Sequence, residues 1–478
     1  MLRRTKIVAT LGPATSSPER LEAAIAAGVD VVRVNFSHGQ AEDHTRTVEL
    51  VREVAGRLGK YVAVLADLQG PKLRIGRFVD NKVLLQPGQR FVLDAGLDAD
   101  AGDEDRVSID YKQLPEDVRP GDILLLDDGR IEMQVEQVAG QQIVCRVLIG
   151  GVLSNNKGLN RKGGGLSAAA LTDKDIADIR VAARMGVDYV AVSFVRSAHD
   201  IRVARDLVRK AGSDAHIMAK IERAELVQNP DELDDVIRAA DAVMVARGDL
   251  AVEIGDAELV AVQKHIIRRA RALNRSVITA TQMMESMIHN PMPTRAEVSD
   301  VANAVFDYTD AVMLSAESAV GDYPVEAVQA MARICEGSEK HPSMHQSRHR
   351  IHEDIEGIEE TIALSVMYAA NHLRGVRAVI CLTESGATPL LASRIKSSVP
   401  IFAFSRHFRT RCRTALYRGV YAIPFELGDD DNDTVISRAI EALKARQVLS
   451  IGDLVAVTKG DYSHAEGGTN TLKIIKVF

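Results

Sequence analysis

The sequence predicts an α/β protein built on a closed barrel of eight parallel strands, with two further domains attached. Three observations predict this fold. Eight short apolar runs recur between helical segments up to about residue 340, and each run is apolar on successive residues, as in strands buried on both faces. One connection between runs is far longer than the others and has an alternating pattern. A chain of 478 residues is also too long for one core.

The eight runs are separated mostly by helical segments such as SPERLEAAIAAG. In chain order the runs are KIVATLG, VVRVNFS, VAVLADL, YVAVSF, HIMAKIE, AVMVARGD, SVITATQ and AVMLSAE. Each run becomes polar at its carboxyl end, which is the active-site face of such a barrel. One polar strand end is unremarkable, but eight together indicate a functional face. The residues concerned are Arg33, Asn35, Ser37, Asp67, Ser193, Lys220, Glu222, Arg247, Asp249, Thr281 and Glu317.

The long connection follows the third run. Residues 71–168 alternate apolar and polar residues in stretches such as IEMQVEQV, which predicts a small inserted all-β domain. Because the insertion leaves the barrel at the active-site face, it is a candidate lid. A helix pattern resumes at LTDKDIADIRVAARMG, with Thr172 as its predicted N-cap. The barrel is therefore assigned to residues 1–70 and 169–340.

Residues 341–478 are predicted to form a separate α/β domain. The polar, His-rich stretch EKHPSMHQSRHR is typical of a linker, and strands and helices alternate after it. Within the barrel, PTRAEVSD contains a second clear helix start, because Thr294 and Glu297 have the spacing of a capping box.

The composition excludes several classes of protein. A net charge of −7 and the absence of Trp argue against nucleic-acid binding, and no apolar run is long enough to span a membrane. Arg3 and Arg4 precede an apolar stretch too short for a secretion signal, so a cytoplasmic protein is expected. The cysteines form no C-x-x-C pair, which indicates reduced thiols; they are Cys145, Cys335, Cys381 and Cys412.

The polar strand ends also indicate a chemistry. Glu222 and Asp249 follow the fifth and sixth runs, and two converging carboxylates suit Mg²⁺ (or Mn²⁺). The alternative is a pair of salt-bridged acids, since Arg223 and Arg247 are close in sequence. Lys220 lies two residues before Glu222 and so points to the same side of its strand. A lysine, two acids and an arginine on one rim are suited to phosphoryl transfer.

Longer motifs then point to a family. TKIVATLGPATSS, RVNFSHG, AKIE, RGDLAVEI, ATQMMESM, PTRAEVSDVANAVFD and DAVMLSAESAVGDYP resemble pyruvate kinase, in the right order and over nearly the whole chain. The resemblance implies a barrel with a lid, a C-terminal regulatory domain and a homotetramer. It also implies transfer of the phosphoryl group of phosphoenolpyruvate to ADP, giving ATP and pyruvate, which is the final step of glycolysis.

The resemblance implies roles for individual residues. Lys220 would stabilise the phosphoryl group, Arg33 would grip the substrate phosphate, and Glu222 with Asp249 would hold Mg²⁺. Thr281 would lie near the carbon that receives a proton, although a hydroxyl alone is a poor acid and could simply make a hydrogen bond at the core edge. The substrate contacts would be Arg33, Lys220, Gly248, Asp249 and Thr281. The nucleotide contacts would be Asn35, Phe36, Ser37, His38, Arg74 and Lys157.

The chain departs from the family at the potassium site. Many members need K⁺, with ligands from an Asn, a Ser, an Asp and a Thr and with a Glu nearby. Here Asn35, Ser37 and Asp67 remain, but Leu68 stands at the Thr position and Lys72 at the Glu position. We expect the ammonium of Lys72 to replace K⁺, since a unit charge pair at 4 Å is worth roughly 4 kcal/mol at an effective dielectric near 20. The alternative is a solvated lysine in the hinge.

The C-terminal loop TESGATP resembles the family's effector-phosphate pocket. Hydroxyls beside a helix N-terminus suit a phosphate, whereas Glu384, Asp461 and Glu466 disfavour a bisphosphate. We therefore expect a sugar monophosphate or AMP as effector in preference to fructose 1,6-bisphosphate. The basic segment 405–413 could add cations to that pocket or be a solvated or subunit surface. On the lid, Arg161 and Lys162 stand where the family usually has Leu-Pro, and they could contact the nucleotide or simply lie on the lid surface. The predicted effector residues are Thr383, Glu384, Ser385, Gly386, Ala387 and Thr388.

Two other classes of function stay open at this level. One is a different Mg²⁺-dependent barrel enzyme acting on an enolpyruvate or oxoacid, such as an aldolase or lyase. The inserted lid and Lys157 favour a nucleotide substrate and so argue against that class. The other is a non-enzymatic metabolite sensor, which predicts loss of Lys220 or of a metal carboxylate, yet Glu222 and Asp249 are both present.

Overall fold

The computed structural model describes residues 2–345, 354–426, 431–460 and 468–478. Part of the His-rich linker, together with Asp461 and Glu466 from the effector hypothesis, lies outside the described residues. No helix in the described ranges is long and apolar enough to cross a membrane.

The first part of the barrel alternates strands and helices, as predicted. Its elements are β1 (Lys6–Thr10), α1 (Pro18–Ala27), β2 (Val31–Asn35), α2 (Ala41–Arg57) and β3 (Ala63–Asp67). The chain then leaves the barrel for an all-β insertion. Its elements are β4 (Lys82–Leu85), β5 (Arg90–Asp94), β6 (Arg106–Ser108), α3 (Leu114–Asp117), β7 (Ile123–Leu126), β8 (Ile131–Ala139), β9 (Gln142–Ile149), β10 (Gly151–Ser154) and β11 (Leu159–Arg161).

The barrel resumes after the insertion. Its remaining elements are α4 (Asp173–Met185), β12 (Tyr189–Val192), α5 (Ala198–Lys210), β13 (His216–Ile221), α6 (Ala224–Gln228), α7 (Pro230–Ala239), β14 (Ala242–Ala246), α8 (Arg247–Ile254), α9 (Asp256–Ala272), β15 (Ser276–Ala280), α10 (Arg295–Phe306), β16 (Ala311–Leu314), α11 (Ala316–Ala319) and α12 (Pro324–Glu339). The N-caps at Thr172 and Thr294 are confirmed: each hydroxyl accepts the N–H three residues on, and the acid there completes a capping box.

Within the described residues, eight parallel strands close into a barrel in the order β1, β16, β15, β14, β13, β12, β3, β2. The predicted fold is thereby confirmed. Strand β12 pairs directly with β3, for example Tyr189 with Leu65, so the insertion leaves the barrel wall continuous. The strand side chains alternate between an inner core and an outer core against the helices, which is why each run is apolar throughout.

The C-terminal domain is an α/β layer structure whose sheet has the strand order β19, β18, β17, β20, β21. Its elements are α13 (Ile358–His372), β17 (Val376–Leu382), α14 (Ala387–Ser393), β18 (Ile401–Ser405), α15 (Phe408–Thr414), β19 (Val420–Pro424), α16 (Asn432–Ala445), β20 (Leu454–Gly460) and β21 (Thr469–Lys476). The inner core of the barrel continues into this domain at the amino ends of the strands. The opposite, carboxyl end of the barrel is left for the functional site.

Candidate active site

The carboxyl ends of β2, β3 and β13 bring two predicted cations, Arg33 and Lys220, together around one buried acid, Asp67. Asp67, at the end of β3, is only 1% exposed. Its Oδ2 accepts from Arg33 Nε at 2.6 Å, and its Oδ1 lies 3.4 Å from Lys220 Nζ. Burial alone raises the pKa of Asp67, but Lys220 and Arg33 outweigh burial and hold this pKa below its usual range. Asp67 is therefore an anion that aligns two cations.

Lys220 is held at the centre of the site. Its Nζ donates to Ser193 Oγ at 2.6 Å and lies 3.4 Å from an oxygen of Glu222 as well as of Asp67. Burial lowers the pKa of Lys220, but the carboxylates of Asp67 and Glu222 more than compensate and raise it above its usual value. The side chain is thus an ammonium ion at neutral pH, in position to stabilise an anionic substrate.

Glu222 carries the property expected of a metal ligand. Its Oε1 accepts the Phe194 N–H at 2.6 Å, whereas its Oε2 is buried without a hydrogen-bond partner among the described residues and lies 3.4 Å from Lys220 Nζ. Burial raises the pKa of Glu222 to about 7 despite the opposing charge of Lys220, and the nearby carboxylate of Asp249 adds to the rise. A buried carboxylate oxygen with no donor is stabilised by a cation.

Asp249 lies in the first turn of α8, beside Glu222, and keeps 28% of its side chain exposed. No group of three or more His, Cys, Asp or Glu in the described part of the chain could enclose a metal ion. Two carboxylates nevertheless fit Mg²⁺, which usually binds one or two protein carboxylates and completes its shell with water and substrate oxygens. The residues present therefore fit this ion.

Thr281 follows β15 in a conformation that is rare for a β-branched residue, with φ of +68°. Its hydroxyl donates to the Ala280 carbonyl at 2.6 Å and accepts from the Gly248 N–H at 2.8 Å. Gly248 is one of the substrate contacts that the resemblance implies, but in this structure its N–H is donated to Thr281. Arg247 holds the turn in place, because its guanidinium donates to the Thr281 carbonyl and to both oxygens of Asp300. Arg247 is therefore structural.

The predicted nucleotide residues lie in two groups. Residues 35–38 begin at the last residue of β2, where Asn35 Oδ1 accepts the Ser37 N–H at 3.1 Å and the Phe36 ring lies tilted against the His44 ring, with the centroids 4.5 Å apart. Arg74 and Lys157 lie on neighbouring backbone segments at the base of the insertion. Arg74 Nη1 donates to the Asn156 carbonyl at 2.8 Å, and Lys157 Nζ pairs with Asp127 at 2.7 Å. Both cations thus have partners within the insertion.

Comparison with known proteins identifies the chain. The family model "Pyruvate kinase, barrel domain" matches residues 2–328, and the model "Pyruvate kinase, alpha/beta domain" matches residues 360–475. The chain belongs to the pyruvate kinase family. It is 59% identical to pyruvate kinase II of Salmonella typhimurium over 100% of this chain and 99% of that protein. It is 57% identical to a pyruvate kinase of Haemophilus influenzae over 98% and 97%, and 41% identical to one of Corynebacterium glutamicum over 99% and 98%.

Family membership shows that the chain is a phosphotransferase, and it decides against an aldolase, a lyase or a sensor. The family implies phosphoenolpyruvate and ADP as substrates and pyruvate and ATP as products. The site agrees with such substrates, because the Arg33 guanidinium and the Lys220 ammonium both lie beside Asp67, and Lys220 also lies 3.4 Å from Glu222.

At the position where the resemblance implies a K⁺ site, the structure differs in detail from what the sequence suggested. Lys72 was expected beside Asp67, but its Nζ lies 3.6 Å from Asp249 Oδ1, and the contacts of Asp67 are with Arg33 and Lys220. The Leu68 side chain packs in the outer core, and its carbonyl accepts from the Ser193 hydroxyl. For the hypothesis that K⁺ is not needed, the lack of a hydroxyl at Leu68 is therefore weaker support than the positive charge of Lys72.

The predicted effector loop joins β17 to the short helix α14. The Thr383 hydroxyl accepts the Gly386 N–H, and the Ser385 hydroxyl accepts the Ala387 N–H. Thr388 is buried and donates to Glu359. The carboxylate of Glu384 contacts His407 and lies 3.2 Å from Arg406 Nε, so the basic segment after β18 lies against this loop.

Three contacts in the site were not anticipated from the sequence. Thr10 accepts from Arg33, Ser193 accepts from Lys220, and the Phe194 main chain donates to Glu222. Ser193 had a signal in the sequence, since it is one of the polar strand ends. The Phe194 contact had none, because it depends on a backbone φ of +54° at an aromatic residue.

Proposed function

We propose that the chain transfers the phosphoryl group of phosphoenolpyruvate to ADP in the final step of glycolysis, with Mg²⁺ (or Mn²⁺) at Glu222 and Asp249. The observation that carries the metal assignment is Glu222 Oε2, a buried carboxylate oxygen without a hydrogen-bond donor in the described residues. The Lys220 ammonium lies 3.4 Å from this oxygen, but the nearby Asp249 carboxylate adds a second negative charge that a divalent cation would offset. When bound, the metal would neutralise charge on the phosphoryl oxygens.

The protein residues have distinct tasks in this reaction. The bond between phosphorus and the enolate oxygen breaks, a bond from phosphorus to an oxygen of ADP forms, and the enolate carbon takes up a proton. Lys220 stabilises the negative charge on the moving phosphoryl group. Arg33, oriented by Asp67, grips the substrate phosphate through its guanidinium. Thr281 lies at the proton-transfer side and orients a water there.

A coupled assay tests this assignment directly. Phosphoenolpyruvate, ADP and Mg²⁺ are mixed with the protein, and pyruvate is followed through lactate dehydrogenase. Glu222→Gln is expected to lose at least a hundredfold in kcat, because the amide is neutral and binds Mg²⁺ poorly. The matched control is Glu258→Gln on the exposed face of α9. A Glu222→Gln enzyme with the activity of this control would contradict the metal assignment.

We propose that this enzyme does not need K⁺. The support is the charge of Lys72, whose Nζ lies 3.6 Å from Asp249 Oδ1 at the mouth of the site, together with Lys220 and Arg33 deeper inside. A fixed ammonium here supplies positive charge near the bound phosphate in place of a mobile ion.

The test uses tetramethylammonium as the sole monovalent cation. Turnover is expected to rise less than twofold when K⁺ is added, whereas Lys72→Glu should gain a strong dependence on K⁺. Lys82→Glu, at an exposed lysine on β4, is the control for a charge reversal elsewhere on the insertion. Strong stimulation of the unmodified enzyme by K⁺ would refute the proposal.

We also propose regulation by a sugar monophosphate or AMP at the loop of residues 383–388. Support comes from a cavity of about 610 Å³ between the barrel and the C-terminal domain, which Glu384 and Ser385 reach from this loop. The cavity is also lined by Arg205, Arg209, Arg409 and Arg413. Arg205 is paired with Asp241, and Arg409 and Arg413 with Asp214, so a phosphate would compete with these two carboxylates for the arginines. Titrating monophosphates and fructose 1,6-bisphosphate against the substrate saturation curve decides the effector class. Activation by the bisphosphate alone is the contrary outcome.

The remaining proposals concern organisation. We propose that residues 71–168 act as a lid on the barrel of residues 1–70 and 169–340, that residues 341–478 are regulatory, and that the enzyme is a cytoplasmic homotetramer. Exposed apolar side chains on and beside α10, Met292, Val298 and Phe306, support a subunit contact there. Light scattering after gel filtration measures the subunit number, and a monomer would overturn the assignment.

A further inference from the structure

Ser193 occupies an unusual position between two strand ends. It comes directly after β12 and is 1% exposed. Its Oγ lies 2.6 Å from Lys220 Nζ and 2.8 Å from the carbonyl oxygen of Leu68, just past the end of β3. Neither the family resemblance nor the proposed chemistry assigns a role to Ser193.

The chemistry of the three groups fixes the direction of both hydrogen bonds. An ammonium only donates and a carbonyl oxygen only accepts, while a serine hydroxyl has a single hydrogen to give. Ser193 therefore gives its hydrogen to Leu68 and turns a lone pair toward Lys220. The oxygens of Asp67 and Glu222 lie 3.4 Å from Lys220 Nζ, beyond the usual hydrogen-bond range. The contact of Ser193 with this ammonium, at 2.6 Å, is thus shorter than either ion-pair contact.

The backbone around Ser193 is held firmly. Gly70, with φ of +66°, packs so closely that a Cβ there would lie 2.7 Å from the Ser193 Cβ. The next residue, Phe194, has a φ of +54° and donates its N–H to Glu222 at 2.6 Å. A strained conformation of this kind persists only where the surroundings enforce it. The two-residue segment after β12 thus holds Lys220 by a side chain and Glu222 by the main chain.

We propose that Ser193 is a positioning residue for phosphoryl transfer, which keeps the Lys220 ammonium out of close ion pairs with Asp67 and Glu222. With one hydrogen held by Ser193, two hydrogens of the ammonium stay available to the phosphoryl oxygens. Without Ser193, the attraction of the two carboxylates draws the ammonium toward them and away from the substrate. This inference rests on the role of Lys220 in the proposed function.

The test compares Ser193→Ala and Ser193→Cys with Ser193→Thr, which keeps the hydroxyl. A hydrogen bond to a charged group is worth about 1.5–3 kcal/mol, which corresponds to a roughly 10- to 150-fold effect on rate. We expect kcat to fall by about this factor in the Ala and Cys variants, while KM for phosphoenolpyruvate changes less than about threefold. Ser193→Thr should restore kcat. The matched control is Ser276→Ala at the opposite end of the barrel, where a buried hydroxyl has no hydrogen-bond partner among the described residues.

A second readout separates positioning from structural damage. The solvent exchange of the pyruvate methyl protons, followed by NMR in D₂O with Mg²⁺, involves proton transfer but no phosphoryl group. We expect exchange in Ser193→Ala to stay within about twofold of the unmodified enzyme. Equal losses of exchange and phosphoryl transfer, or an unchanged kcat, would overturn the inference. Circular dichroism shows whether each variant folds. If Ser193→Ala does not fold, the inference is judged on Ser193→Cys, whose side chain is closer in volume to serine.

Failure of this inference can be told from failure of the proposed function by Lys220→Gln. If Lys220→Gln loses phosphoryl transfer while Ser193→Ala and Ser193→Cys keep it, only the positioning role of Ser193 is wrong. If Lys220→Gln itself keeps normal phosphoryl transfer, the role proposed for Lys220 is wrong and the inference for Ser193 goes with it.

Discussion

Glu253, near the end of α8, is a buried acid that the proposed chemistry does not use. Its Oε2 accepts the Ala224 N–H at 2.8 Å, and only 5% of the residue is exposed. Burial raises the pKa of Glu253 to about 7, and the neighbouring Glu225 adds to the rise while Arg223 opposes it. The folded protein therefore holds this proton to a higher pH than the unfolded chain, whose carboxyl has a pKa near 4.5.

The sign of the resulting pH dependence follows by linkage. Between about pH 4.5 and pH 7 the folded state binds more protons than the unfolded state at this site, so its contribution to stability falls as pH rises. Glu253→Gln keeps an oxygen for the Ala224 N–H but cannot ionise. We expect the free energy of unfolding of this variant, relative to that of the unmodified protein, to rise from pH 5 to pH 8 by about 1.4 kcal/mol for each unit by which the folded and unfolded pKa values differ. The difference between the two melting temperatures should therefore increase over the same pH range. Exposed Glu258→Gln is the control, and parallel melting curves for both variants would contradict the prediction.

At single positions, the sequence was sufficient where strand geometry decides the outcome. Lys220, Glu222 and Arg33 meet because parallel strands of one barrel end on one face. The sequence was insufficient where a contact depends on a connection between domains. The partner of Lys72 is Asp249, because the segment leading into the insertion crosses toward α8, and no local pattern encodes that path.

Among the elements, the segment by which the chain returns from the insertion has an unusual backbone. Gly163, Gly164 and Gly165 all have positive φ, between +75° and +87°. The Gly163 N–H donates to the Glu253 carbonyl, and the Gly165 N–H donates to Glu225 Oε1 at 3.1 Å. These glycines thus fasten the insertion to α6 and α8, the helices that follow Glu222 and carry Asp249.

We predict that Gly164→Ala impairs the enzyme more than Gly163→Ala does. Both positions have a left-handed φ, so both variants carry backbone strain of about 1 kcal/mol. A Cβ at Gly163 would meet open space, whereas one at Gly164 would lie 2.1 Å from Glu225 Oε2 and push that side chain off the Gly165 N–H. KM for ADP should rise several-fold in Gly164→Ala and less than twofold in Gly163→Ala. Equal steady-state kinetics would show that the contact with Glu225 does not matter.

At the scale of elements, the apolar runs predicted the barrel well. Strands that are buried on both faces are apolar on successive residues, and all eight runs have this pattern. Capping boxes at Thr172 and Thr294 fixed two helix starts from local chemistry alone. The sequence of neither β3 nor β12 by itself predicts that these two strands pair. It follows from closure of the barrel, which requires the third and fourth strands to be neighbours although the insertion separates them in sequence.

On the scale of the whole molecule, the barrel and the C-terminal domain share a buried ionic interface. Arg394, on the C-terminal side, donates to Asp310 Oδ2 at 2.9 Å and to the Arg275 carbonyl at 2.7 Å. Asp310 lies just before β16 and also accepts the N–H groups of Val277 and Arg418. Arg394 and Asp310 are each at most 1% exposed. Such a pair couples the two domains, since removing one partner leaves the other charge buried.

We predict that Arg394→Met lowers the free energy of unfolding by about 3–5 kcal/mol, the usual cost of leaving one charge of a buried pair without its partner. The double variant Arg394→Met with Asp310→Asn should recover part of this loss, because no lone charge then remains inside. Since the chain contains no Trp, urea unfolding is best followed by far-UV circular dichroism. The control is Arg238→Met, whose pair with Asp235 is exposed and worth less than about 1 kcal/mol. If Arg394→Met is no less stable than Arg238→Met, the buried pair is not what holds the C-terminal domain against the barrel, and the continuous apolar core between them must do so.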